Sequence, residues 1–348
     1  MKILYAIQGT GNGHLSRARD IIPYLMFRGQ VDVLISGQQA DVELGFPVRY
    51  RLKGMSFIFG KRGGIDFFQT WKRNSIFRII REIRNVPVHE YDLIVNDFEP
   101  ITAWACMLKN HKNIVGLSHQ AAVTGKNAPF PVHKDWLGRL ILRCYAPVKK
   151  AYGFHFKQYD ENTFLPVIRQ EVRDLEVDDK GYYVAYLPAY KDTRIIKKLS
   201  KVKKAKWMVF SKNTKEVITE GNVTVYPINN HQFLKALADC TGVLCGAGFE
   251  TPAEAMFLGK KLMVIPMKNQ YEQHCNAAAL LQLGVPLVPG LKKKYLSEIK
   301  EWVKKDERVC MFYPNQSGVL IDRILEEHIA EQYSFSREIS NVTVPSIS

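Results

Sequence analysis

Two glycine-rich turns constrain this chain more than any other feature. A short apolar run at residues 3–7 ends in Gly9-Thr10-Gly11-Asn12-Gly13-His14 and continues as an amphipathic segment at 15–27. A second run at 242–244 ends in Cys245-Gly246-Ala247-Gly248-Phe249 and leads into a helix-like segment at 252–257. Strand, glycine turn and helix, in that order, open a parallel α/β unit, and the chain opens one twice. The first half continues with strand-like runs at 31–35, 93–95 and 114–117 and a helix-like stretch at 101–108. The alternation restarts with strands at 182–186, 207–210, 223–225 and 262–265 and helices at 192–198 and 231–238.

The 348 residues suit two domains of roughly 150–180 residues each. The charged, weakly periodic stretch at 166–179 is the expected boundary. The predicted organisation is therefore a first domain at 1–166, a second at 167–330, and a segment at 331–348 that returns to the first. The tail after 335 reads as irregular. No run approaches the 18 apolar residues of a membrane span, and the N-terminus is too short for a signal-peptide core. Six scattered cysteines without a Cys-x-x-Cys point to free thiols in a reducing cytoplasm, not to a disulfide framework or a zinc site.

The net charge of +15 favours anionic partners. Residues 70–85 place Ile76, Phe77, Ile80 and Ile83 at helical spacing among Arg78, Arg81 and Arg84. Residues 136–154 mix Trp, Leu, Ile and Tyr with Arg139, Arg143, Lys149 and Lys150. Each reads first as a domain helix with a solvated charged face, and second as a surface for an anionic membrane. The lysines at 197–206 and 292–305 read as solvent-facing.

The second turn carries the chemistry. Backbone N–H groups of Gly246, Ala247, Gly248 and Phe249, backed by a helix dipole, suit a diphosphate. Glu254, one helical turn on, is placed to accept from two ribose hydroxyls. After the next strand, a loop offers Glu272 and Gln273 to sugar hydroxyls. Thr251-Pro252-Ala253-Glu254 also reads as a capping box, which would make Glu254 a helix cap instead.

This stretch resembles the donor-binding motif of GT-B glycosyltransferases, nearest the lipid II-forming N-acetylglucosaminyltransferase and the UDP-glycosyltransferases (glycosyltransferase family 28-like). The carrying residues are the glycine turn, Glu254-Ala255 and the closing Glu272-Gln273. Gly246 stands where the UDP-glycosyltransferases have a phosphate-binding histidine, and Gly259-Lys260-Lys261 where Gly-x-Pro is usual. The resemblance implies an α/β GT-B fold, two Rossmann-like domains facing each other across a cleft. It further implies transfer of a sugar from a nucleoside-diphosphate sugar, with UDP expected, to a hydroxyl acceptor. The nucleotide sugar is a cosubstrate, and no cofactor or metal is expected. The acceptor is unidentified and a lipid-linked one is compatible with the charge, as is a peripheral position at the inner face of a membrane.

The first turn fails as a dinucleotide fingerprint: position 14 is His, and the second strand ends at Ser36-Gly37 without an acid. It resembles instead the Gly-His step of the same families, which implies His14 as general base, with Gly11, Asn12 and Gly13 forming a phosphate or acceptor loop. Asp97, at the end of the strand 93–95, is a candidate to orient His14, or else a helix N-cap. Glu99, His119 and Gln120 lie at the same edge and are candidates for acceptor contacts. Loops at 54–64 and 124–132 are candidates to hold the acceptor. The absence of Asp-x-Asp, together with the glycine and helix phosphate site, argues for metal-independent chemistry, and the leading reading is an inverting transferase. Two alternatives stay open: a nucleotide-sugar epimerase of the same fold, and a non-catalytic nucleotide or nucleic-acid binder. Nucleic acid lacks any supporting motif.

Overall fold

A computed structural model describes residues 1–10, 12–37, 43–55, 75–125, 127–131 and 135–342, without the side chains of Leu137 and residues 334–342. Gly11, residues 56–64 of the first candidate acceptor loop, Lys126 and Val132 of the second, and the 70–74 stretch lie outside the described residues.

The elements run β1 (Lys2–Gln8), α1 (Asn12–Met26), β2 (Gln30–Ser36), β3 (Tyr50–Leu52), α2 (Ile76–Asn85), β4 (Leu93–Asp97), α3 (Pro100–Leu108), β5 (Ile114–Ser118), α4 (His119–Val123), α5 (Trp136–Tyr145), β6 (Lys150–Phe154) and β7 (Thr163–Phe164). After α6 (Gln170–Arg173) come β8 (Tyr182–Tyr186), α7 (Asp192–Leu199), β9 (Lys206–Ser211), β10 (Ile218–Glu220), β11 (Val223–Pro227), α8 (Asn230–Asp239), β12 (Gly242–Gly246), α9 (Glu250–Phe257) and β13 (Lys261–Ile265). The chain ends with α10 (Tyr271–Gln282), α11 (Leu296–Lys304) and α12 (Ser317–Val342).

β1 to β7 form one sheet in the order β3-β2-β1-β4-β5-β6-β7, and β8 to β13 a second in the order β10-β11-β9-β8-β12-β13. Every pairing is parallel except that of β10 with β11. The central strands are apolar throughout because helices cover both faces of a parallel sheet. In β1, Ile3, Tyr5 and Ile7 enter one core with Ile21, Ile22 and Leu25 of α1, while Leu4 and Ala6 enter another with Ile83 and Ile101. The register pairs Ile7 with Asp97. That match brings the end of β4 beside the turn that follows β1.

Three expectations change. Residues 136–154 are not one basic segment: α5 stops at Tyr145 before Pro147, and Lys150–Phe154 is a sheet strand. The tail after 335 is helical through Val342. In α2 only Ile83 is buried, so Ile76, Phe77 (88% exposed) and Ile80 stand out to solvent beside Arg81 and Arg84. Trp136 (72% exposed) and Leu140 of α5 do the same beside Arg139 and Arg143.

α12 packs on α1 of the first sheet, with Leu320, Ile321 and Ile324 buried in the core that holds Ile21, Ile22 and Leu25. Arg28 pairs with Asp322, Lys150 with Glu327 and Glu331, and Tyr152 donates to Glu327 at 2.5 Å. No described helix is long and apolar enough to cross a membrane.

Candidate active site

The C-terminal ends of the parallel strands face one another across a cavity of about 480 Å³. Sites in such sheets form at that edge. From the first sheet the lining includes Asn12, Gly13, His14, Arg17, His119 and Gln120, and from the second Gly248, Phe249, Glu250, Glu254 and Glu272. Gly246, Ala247, Gln273, Asp97 and Glu99 stand behind this lining.

His14 lies in the first turn of α1, 13% exposed, and its Nδ1 is 2.8 Å from Asp97 Oδ1. Asp97 is fully buried at the end of a buried strand, so its charge needs partners. Arg17, one helical turn after His14, supplies them: one guanidinium nitrogen donates to Oδ1 at 2.7 Å and to Oδ2 at 2.8 Å. Burial would raise the Asp97 carboxyl, but Arg17 and then His14 pull it below its ordinary value. An Arg17 nitrogen also lies 3.2 Å from Nδ1, but the Asp97 contact is shorter and an ionised carboxylate only accepts, so the His14 proton is placed on Nδ1 and Nε2 keeps its lone pair. Phe98, beside Asp97, has φ of +55°, a conformation costly for a bulky residue and one that concentrates at functional sites. The Asn96 side chain holds that turn, donating to the Glu99 carbonyl at 2.8 Å and accepting from the Glu99 N–H at 2.9 Å.

Asp97 is not the cap of α3. Glu99 is, accepting from the N–H groups of Ile101 at 2.7 Å and Thr102 at 2.6 Å and from the Ser36 hydroxyl at 2.6 Å. It is fully buried, which removes it from acceptor contact. His119 lines the cavity but is engaged at both nitrogens, by the Phe154 carbonyl and the Asn276 side chain, each at 2.7 Å. Its ring stacks on Phe249, centroids 3.9 Å apart. Gln120 donates to Glu272 at 3.0 Å across the cleft.

On the facing side the capping box does not form. α9 begins at Glu250, so Thr251 and Pro252 lie inside its first turn. Glu254 is 2% exposed and held by Arg169, whose Nε donates to Oε1 at 2.6 Å and whose terminal nitrogen donates to Oε2 at 2.9 Å. Two carboxylate oxygens offer about four acceptor positions, so the pairing fixes Glu254 without filling it. A side chain added at Gly248 would meet no protein atom within 4 Å, which leaves the backbone there open to a ligand. Glu272 and Gln273 sit in the first turn of α10, not in a loop, and Gln273 turns inward to accept from the Met267 N–H at 2.9 Å.

Arg17, Arg169, Glu250 and Asn276 escaped the sequence reading. The usable signal was spacing: Arg17 is three residues from His14 and Glu250 four from Glu254, so each pair shares a helix face.

Two largely parallel sheets meeting edge to edge over one cavity form the GT-B arrangement. The chain belongs to glycosyl transferase family 1, whose match covers residues 1–305. Its structure is similar to a UDP-glucosyltransferase from Polygonum tinctorium capable of glucosylating indoxyl (13% identity, 94% of this chain and 92% of that one, TM-score 0.58). It is similar also to MurG from Acinetobacter baumannii (12% identity, 93% and 99%, TM-score 0.55). The spinosyn forosaminyltransferase SpnP gives 11% identity, 94% and 99% coverage, and a TM-score of 0.55. A sequence search among curated proteins found no match.

Proposed function

We propose that this glycosyltransferase takes its sugar from a nucleoside-diphosphate sugar, UDP being the expected nucleotide, and transfers it with inversion to a hydroxyl acceptor without a metal. The observation that carries the reading is the His14–Asp97 pair facing the first turn of α9 across one cavity. His14 Nε2 removes the acceptor proton as the acceptor oxygen attacks the anomeric carbon. The bond to the diphosphate breaks with its electron pair, and the N–H groups near Gly248 and Phe249 receive the charge. A single displacement inverts the anomeric centre. Incubation with a panel of nucleotide sugars tests this. Slow release of nucleoside diphosphate supports it, a returned epimer favours the epimerase, and no turnover with any donor overturns both.

Glu254 is assigned to the ribose hydroxyls. Glu254→Gln is expected to weaken UDP binding more than tenfold, since hydrogen bonds to a charged group contribute roughly 1.5–3 kcal/mol each. Calorimetry checks it, and unchanged affinity would leave Glu254 as the partner of Arg169 alone.

The exposed apolar residues of α2 and α5, set among arginines, support attachment to an anionic phospholipid surface, where a lipid-linked acceptor would lie. Binding to phosphatidylglycerol vesicles is expected at low salt and lost above about 0.5 M, where screening acts within a few ångströms. Sedimentation without binding at low salt would remove the membrane from this reading.

A further inference from the structure

Arg17 carries a second link that the proton-transfer scheme does not use. Its other terminal nitrogen crosses the cleft and donates to Glu250 Oε1 at 2.5 Å. Arg17 is 3% exposed and its Nε has no partner among the described residues. Glu250 is the first residue of α9, directly after Gly248 and Phe249, and it also packs against Gly13, where an added Cβ would lie 3.4 Å from the Glu250 side chain. An acid therefore occupies the turn at which a diphosphate would be received. It is the group least suited to sit beside two phosphates, and it is gripped by a cation that would suit them well.

We infer that Arg17 is a diphosphate ligand held in reserve by Glu250: donor binding displaces the Glu250 carboxylate from the guanidinium, and phosphate oxygens take its place. The inference rests on the nucleotide-sugar reading above. Asp97 keeps the other nitrogen throughout, so Arg17 needs no large movement. Released from Glu250, that nitrogen faces the first turn of α9. When the sugar leaves, the growing charge on the diphosphate meets a fixed, buried cation with no reorganisation. Arg17 remains charged throughout, because Asp97 stays beside it against the effect of burial and an arginine is not deprotonated in proteins. No covalent step is added, since the exchange is one of ion-pair partners.

Glu250 can give way because burial pushes its carboxyl up to about 7, against the pull of Arg17 and His14. The charged groups around it are Arg17 and His14 of α1, Asp97 at the end of β4, Arg169 ahead of α6 and Glu254 on its own helix. Below pH 7 it is largely protonated and holds Arg17 weakly. Above pH 7 it is ionised and competes with phosphate. Affinity should therefore be handicapped by Glu250 more strongly as pH rises.

Calorimetry with UDP and with uridine tests this on the full-length protein. Glu250→Gln should bind UDP about tenfold more tightly than wild type at pH 8 and nearly equally at pH 6. Taking the ratio of variant to wild type cancels the ionisation of UDP itself. Arg17→Gln should bind UDP about ten- to a hundredfold more weakly while leaving uridine unchanged, and the Glu250→Gln gain should vanish in its background. If Arg17→Gln does not fold, Glu250→Gln decides alone, because a gain in affinity cannot come from misfolding. Equal or weaker UDP binding by Glu250→Gln at pH 8 overturns the inference, as does wild-type UDP affinity in a folded Arg17→Gln. A wild-type protein that binds none of UDP, dTDP, ADP and GDP overturns the donor reading itself and this inference with it.

Discussion

Replacing His14 by alanine is expected to slow sugar transfer by roughly 10²–10⁴-fold, the usual contribution of a positioned base. The geometry gives the reason. Nδ1 is committed to Asp97 at 2.8 Å, so Nε2 is the only basic atom of the ring. The imidazolium formed on proton transfer sits beside a carboxylate that Arg17 keeps ionised. Donor affinity should barely change, because His14 is not among the proposed phosphate and ribose contacts, which lie at the turn before α9, on Glu254 and on Arg17. Steady-state kinetics with the donor identified by the hydrolysis panel, alongside calorimetry with UDP, separates the two effects. Near-normal transfer by the variant would move the base role to Glu250, a cavity-lining acid whose carboxyl is pushed up to about 7 by burial.

Asp97→Ala should have the largest effect on stability. It removes both carboxylate acceptors of one Arg17 nitrogen and leaves that buried guanidinium with Glu250 and with His14 Nδ1, 3.2 Å away. Breaking a buried pair from one side typically costs about 3–5 kcal/mol, because the remaining charge is uncompensated. Transfer should fall together with stability, since the His14 ring loses its orienting partner. Asp97→Asn is no mild control: it places an amide N–H₂ against the guanidinium on one side of the carboxamide. Urea unfolding measures the effect, and a loss below about 1 kcal/mol would mean that Arg17 finds another partner. Rate and stability can be separated by assaying well below the melting temperature, where the folded fraction is unchanged.

The long apolar strands were legible in the sequence. Tyr182–Tyr186 runs as read, and β1, β2, β4, β5, β9, β11, β12 and β13 extend by only a residue or two. β3, β7 and β10 have only two or three residues, too few to show a period. β6 was hidden because Lys150-Ala151-Tyr152-Gly153 lacks the β-branched run that marks its neighbours. At the site, the glycine turns, His14 and Asp97 could be placed because each is tied to the end of a strand. Of what those residues touch, the His14–Asp97 pair was legible and the pairs across the cleft were not. Arg17 and Glu250 are 233 residues apart, and Arg169 and Glu254 are 85 apart. Pairings of that separation depend on how two sheets dock, which no local pattern encodes. Glu99 shows the same limit at short range: two acids two residues apart compete for one cap, and only the turn at Phe98 decides between them.

The return of α12 to the first sheet also sets the order in which the molecule can be finished during synthesis. Ile21, Ile22 and Leu25 leave the ribosome early, yet Leu320, Ile321 and Ile324, which share their core, are made near the end. At 5–20 residues per second the gap lasts roughly 15–60 s, during which one face of α1 is exposed while the second sheet can already assemble. The nascent chain should therefore complete its later half first, and a ribosome-bound form arrested before residue 317 should show protease-sensitive residues in α1 beside a protected second sheet.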